Sequence, residues 1–184
     1  MREQISLAAE LQRFLEGQSW TFAFIGGIAN LAWGEVRTTR DVDISLFTSF
    51  DQEELFVLPL LEEYKSRVPD PVDFAKRNRV LLLQDPHGIG IDIALAGFPF
   101  EMAALNRSKS VDFGHGVTLR VVSAEDLIVM KAFAGREQDW ADVTGIVKRQ
   151  SELDWAYIEP QIIALAEAID DSGLLARLQA HRSQ

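Results

Sequence analysis

The sequence contains no cysteine, which excludes disulfide frameworks, cysteine-ligated zinc and thiol nucleophiles. Its histidines, His87, His115 and His181, fall in expected turns or the tail without metal-ligand spacing, which argues against zinc. No apolar run approaches the ~20 residues that span a bilayer, and the opening Met1-Arg2-Glu3-Gln4 lacks the apolar core of a signal peptide. The expectation is a soluble cytoplasmic protein without a membrane partner. Basic residues are also scarce. Against 28 Asp and Glu stand only 18 Lys and Arg, a formal charge of −10. That excludes broad, nonspecific coating of nucleic acid, which needs many clustered cations. What remains is ordinary globular material: 184 residues, 47% hydrophobic and 25% charged, enough for one α/β core with a small extension.

Hydrophobic periodicity orders the chain. Leu7, Ala8, Leu11, Phe14 and Leu15 share a helical face, predicting an amphipathic helix over 4–16. Phe22 to Ile25 is a short apolar run halted by Gly26-Gly27, which reads as a buried strand followed by a short helix over 28–33. Val42-Asp43-Ile44-Ser45-Leu46 alternates with period 2, the signature of a strand. Ser49 with Gln52 resembles a capping box opening a helix to about 66, and Pro69 and Pro71 break the chain there. Strands are expected at 79–84 and 88–95, a helix at 99–107, and a hairpin over 110–122 turning at Gly114-His115-Gly116. Ser123 with Asp126 signals a second cap, and beyond it the pattern is helical. The fold class is therefore α/β (α+β): a mixed-sheet core over 1–122 with a helical region over 123–184 packed on it.

The chemistry resides in the aspartates. In the strand at 41–46, Asp41, Asp43 and Ser45 share one face, opposite Val42, Ile44 and Leu46. In the strand at 89–95, Asp92 stands between Gly90 and Ala94, opposite Ile91 and Ile93. If these strands are neighbours, Asp41, Asp43 and Asp92 converge. Such carboxylates repel, and share a site only with raised pKa values or a bound cation. Hard divalent ions prefer oxygen ligands, as in two-metal phosphoryl-transfer sites. The plainer alternative is a solvated strand face. Gly26-Gly27, between strand and helix, could admit an anion to backbone N–H groups, or serve only as a tight turn. Arg37 and Arg40, leading into the acids, could neutralise phosphate or form surface pairs. Lys131 lies in an apolar helical run, where it either snorkels or meets a phosphate. Arg136 and Asp139 are expected to pair structurally.

Phe24-Ile25-Gly26-Gly27, Gly34-x-x-Arg37-x-Thr39-x-Asp41-Val42-Asp43 and Ile91-Asp92-Ile93 together resemble the nucleotidyltransferase fold of the DNA polymerase beta superfamily. The stretch from Ser123 to Lys131, with Arg136, Asp139 and Asp142, is similar to the helical block of AbiEii-type toxins and minimal nucleotidyltransferases. The resemblance spans residues 20–150. It implies Mg-dependent transfer of NMP from an NTP to a hydroxyl acceptor such as RNA, a protein or a small molecule, with a tRNA end among the options. In that reading Asp41, Asp43 and Asp92 are catalytic and hold two Mg²⁺ ions, or Mn²⁺. Gly26, Gly27, Arg37, Thr39, Arg40 and Lys131 bind the nucleotide phosphates. The second turn position is Gly27, where many members carry serine. The resemblance also implies an antitoxin partner, with the chain a monomer or homodimer. The alternative is a non-catalytic, nucleotide- or partner-binding member of the same fold. An aspartate-nucleophile phosphatase fits poorly, because polar Arg37-Thr38-Thr39-Arg40 precedes the acids where an apolar strand is needed. A Gly-x-Ser-x-Gly nucleophile elbow is absent.

Overall fold

The computed structural model describes residues 1–182. They divide into two compact units, one formed by Met1–Ile28 with Thr38–Val122, the other by Ala29–Arg37 with the chain from Ser123 onward.

The first unit is built on a mixed sheet. After α1 (Arg2–Gly17), β1 (Phe22–Phe24) leads into α2 (Gly26–Trp33), along which the chain leaves this unit. It returns as β2 (Val42–Phe47), α3 (Glu54–Glu63), β3 (Lys65–Ser66), α4 (Pro71–Asn78), β4 (Val80–Gln84), β5 (Gly90–Ala96), α5 (Pro99–Asn106), β6 (Lys109–Asp112) and β7 (Thr118–Val121). Among the described residues the sheet has seven strands in the order β3-β4-β5-β2-β1-β7-β6. The β2–β5 and β1–β7 pairs are parallel and the others antiparallel.

Register explains the core. Phe24, Ile44, Ile93 and Leu81 are cross-strand neighbours in one row, and Val42, Ile91 and Leu83 form the next. All seven side chains are fully buried. Each such burial contributes about 1.5–3 kcal/mol relative to exposure, so a one-residue slip of β2 against β5 would be heavily penalised. That same penalty fixes the opposite face, where the aspartates lie.

Two local expectations are corrected. Ser49 does not cap a helix. It lies at φ 60°, and its N–H donates to the Ala96 carbonyl at 3.1 Å at the end of β5. The helix starts at Glu54 and stops at Glu63, because Tyr64 is extended and Lys65–Ser66 pair with β4. Pro71 does not merely interrupt the chain; it opens α4, where its fixed φ and missing N–H are harmless.

The second unit is helical: the part of α2 from Ala29, then α6 (Ala124–Ala134), α7 (Glu137–Arg149), α8 (Trp155–Ile169) and α9 (Leu174–Arg182). Ser123 Oγ accepts from the Asp126 N–H at 3.1 Å, the cap expected from sequence. Leu127, Ile128, Val143, Ile146, Ile158, Ile162, Leu174 and Leu178 are buried. No helix among the described residues is long and apolar enough to cross a membrane.

Candidate active site

Strand alternation and register bring the first-unit acids together. β2 and β5 are parallel neighbours with Asp43 directly opposite Asp92, so both carboxylates leave the same face of adjacent strands. Continuing the register by one pair sets Asp41, just before β2, opposite Gly90. The carboxylate of Asp41 lies over that glycine, where a Cβ would strike its Oδ1. Gly90 is thus a component of the cluster, although it carries no ligating group. Its signal in the sequence is its position, two residues before Asp92 on the same strand face.

The glycine pair is built against the same acids. Gly26 sits at φ 52°, a left-handed conformation that favours glycine. A Cβ there would lie 2.6 Å from the Asp43 carboxylate carbon. The next residue, Gly27, donates its N–H to Asp43 Oδ2 at 3.2 Å. A Cβ on Gly27 would lie 2.6 Å from Thr39 Cβ. A serine at position 27 would therefore collide with buried Thr39 as it stands. Thr39 Oγ1 in turn donates to the Asp41 carbonyl at 2.9 Å, holding the approach to β2. Arg40 is exposed beside Asp41.

Electrostatics mark Asp92. Burial pushes its carboxyl above the usual aspartate range; the Arg67 guanidinium pulls it down, and the charge of Asp41 pushes it up again. Arg67 donates through Nη2 to Asp92 Oδ1. No sequence signal pointed to Arg67, because its place depends on how β3 pairs.

The donor set suits a hard divalent cation. It consists of carboxylate oxygens alone, and the missing Cβ at Gly26 and Gly90 lets the Asp43 and Asp41 carboxylates lie close against the backbone. As the side chains stand, no three His, Asp or Glu residues among those described converge on one point. Asp92 is engaged by Arg67.

Arg37 and Lys131, expected at phosphates, both carry ion pairs in the helical unit. Arg37 donates from Nε and Nη2 to the two oxygens of Asp142, each at 2.9 Å. Lys131 Nζ donates to Asp142 Oδ2 at 2.6 Å and lies 3.5 Å from Asp139 Oδ1. Asp139 also accepts from Arg136 Nε at 2.6 Å, the structural pair anticipated. Burial alone would raise the Asp142 carboxyl, but hydrogen bonds from Arg37, Lys131 and Gln138 bring it below the usual value. A depressed folded-state pKa stabilises above the unfolded value of about 3.8, and that contribution fades as pH falls through the folded value. Asp142→Asn is expected to lower unfolding free energy by about 1.5–3 kcal/mol at pH 7, the scale of hydrogen bonds to a charged group. The gap from wild type should narrow below pH ~4. Urea unfolding at pH 7 and pH 3 checks both; a gap that does not change with pH overturns the account. Elsewhere on the first unit, Lys76 pairs with Glu54 and Arg79 with Glu53.

Known proteins share this architecture. A nucleotidyltransferase-like antigenic protein from Paracoccidioides brasiliensis superposes with TM-score 0.56 at 15% identity, over 98% of this chain and 94% of that one. LnuA, a lincosamide antibiotic adenylyltransferase solved with lincomycin bound, gives TM-score 0.56 at 15% identity, over 82% and 98%. The antibiotic-resistance factor ANT(2'')-Ia gives TM-score 0.52 at 12% identity, over 99% and 90%. These likenesses establish the fold. No curated protein matches the sequence. Residues 5–174 do match a family described as nucleotidyltransferase of unknown function (DUF6036). Because that match takes in most of both units, the chain belongs to the DUF6036 family of nucleotidyltransferases.

Proposed function

We propose that the protein transfers a nucleoside monophosphate from an NTP to a hydroxyl acceptor in a Mg²⁺-dependent reaction. One observation carries this reading: Asp43 and Asp92 stand side by side on parallel strands, with Asp41 over Gly90 and the Gly26-Gly27 turn against Asp43. Divalent ions held by Asp41, Asp43 and Asp92 would neutralise triphosphate charge and orient the α-phosphate. The chain's own groups do the rest. Gly26 and Gly27 open a helix without side chains of their own, so a phosphate oxygen can come close to the backbone there. Asp92, whose carboxyl favours the protonated form more than an ordinary aspartate, accepts the proton of the acceptor hydroxyl. The acceptor oxygen then bonds to the α-phosphorus as the bond to the bridging oxygen breaks and pyrophosphate leaves. Arg40, exposed beside Asp41, is assigned to the leaving phosphates. Thr39 acts indirectly, by fixing the Asp41 backbone.

A small-molecule hydroxyl is the acceptor class this reading favours, since LnuA, of the same fold, is an antibiotic adenylyltransferase. The kinship with AbiEii-type toxins rests on the sequence resemblance alone; a small antitoxin-like reading frame beside the gene would support it. The test is incubation with each α-labelled NTP and Mg²⁺ in a fractionated bacterial extract. Transfer of label from one NTP to one fraction is expected. Metal-dependent nucleotide binding with no label transferred from any of the four would overturn the reading in favour of a binding protein.

A further inference from the structure

The acidic cluster contains a cation of its own. Arg67 immediately follows β3, and its N–H donates to the Leu82 carbonyl of β4 at 3.0 Å, continuing the β3–β4 ladder. Leu82 is opposite Asp92 on β5, and Asp92 is opposite Asp43 on β2. Arg67, Leu82, Asp92 and Asp43 therefore form one row across four strands on the same face of the sheet. Two strand spacings, about 10 Å, separate the backbone of Arg67 from that of Asp92, and an arginine side chain spans most of that gap.

Two independent contacts locate the guanidinium. Nη2 donates to Asp92 Oδ1. Nη1 lies 3.3 Å from the position a Cβ would take on Gly90, the same position that abuts the Asp41 carboxylate. The positive charge thus sits on Asp92 and beside the Asp41 carboxylate. Its backbone is not loose: Ser66 Oγ donates to the Val68 carbonyl at 2.7 Å and accepts from the Val68 N–H at 3.1 Å, bracketing Arg67 in a tight turn.

We propose that Arg67 is a positioning residue that supplies the counter-charge of the acidic cluster in the metal-free protein and competes with a divalent ion for Asp92. The inference rests on the reading of Asp41, Asp43 and Asp92 as metal ligands. Arg67 keeps the like-charged acids in register while the metal is absent, and it releases Asp92 as the ion arrives. Arginine suits this role because its planar fork can face two carboxylates at once.

The test is Mn²⁺ binding to the full chain without nucleotide, followed by electron paramagnetic resonance and calorimetry. Arg67→Gln keeps a polar side chain but removes the competing charge and is too short to reach Asp92. It should tighten Mn²⁺ binding by roughly three- to tenfold and lower the Tm of the metal-free protein, with Mn²⁺ restoring that loss. Arg67→Lys, which keeps the charge, should stay within about twofold of wild type. A purely structural Arg67 would give the opposite pattern, with Arg67→Gln binding Mn²⁺ no better than wild type and losing Tm whether or not the metal is present. That result, or Mn²⁺ binding undetectable in all three proteins, overturns the proposal. The underlying reading fails separately, through an Asp43→Asn protein that still transfers label.

Discussion

Asp43→Asn is expected to lower nucleotidyl transfer by about a hundred- to a thousandfold, the scale of losing a transition-state charge stabiliser, while Tm falls by no more than a few degrees. The geometry separates the two effects. Asp43 Oδ2 accepts the Gly27 N–H at 3.2 Å, and an asparagine carbonyl oxygen can accept the same bond, so the turn survives. Val42 and Ile44, its strand neighbours, face the core and are untouched. What asparagine cannot supply is the negative charge. Asp43 lies opposite Asp92, with Asp41 two residues before it on the same strand face, so its loss removes the acid that neighbours both of the others. Transfer of label from the productive NTP, measured beside thermal unfolding, decides the matter. Undiminished transfer by a folded Asp43→Asn protein would remove Asp43 from the chemistry.

Gly26→Ala is expected to damage both properties, with transfer falling at least about a hundredfold and unfolding free energy by about 2–3 kcal/mol. Two penalties act together. The left-handed φ of 52° costs a non-glycine residue about 1–2 kcal/mol. The added methyl would also lie 2.6 and 2.8 Å from Asp43 Cγ and Cβ, too close for either side to remain in place. Relief requires the turn to open or Asp43 to swing away, and both movements disturb the acidic row. Asp43→Asn and Gly26→Ala therefore form a contrasting pair: activity lost with the fold intact, and activity lost together with stability. Chemical denaturation and label transfer on both proteins separate them. A Gly26→Ala protein with wild-type stability would show that the turn yields easily, and the close approach would then carry no functional weight.

Much of the site was legible because strand alternation is a local property. Val42-Asp43-Ile44 and Ile91-Asp92-Ile93 each declare an apolar face and an acidic one without reference to the rest of the chain, and the buried faces match. The Gly26-Gly27 break and the Ser123 cap were readable for the same reason. Local signals also misled. Ser49 and Gln52 carry the spacing of a capping box, but a hydrogen bond to Ala96, far along the chain, holds Ser49 in a different conformation. For Lys131, a lone charge in an apolar helical run, local pattern left a snorkelling lysine and a phosphate contact both open, and it did not show that Asp142 and Asp139 of the next helix lie beside it.

By itself, the sequence determined that this protein has an α/β core with a helical extension, that thiol chemistry is absent, and that acids occupy the polar faces of two strands. Only the tertiary structure decided that those strands are parallel neighbours with Asp43 against Asp92, that Gly90 makes room for Asp41, that Thr39 takes the space above Gly27, and that Arg67 reaches the cluster from two strands away. The physical reason is the range of the interaction. Alternation and capping are set within a few residues, whereas strand order and register come from burying one continuous apolar face, to which every strand of the sheet contributes.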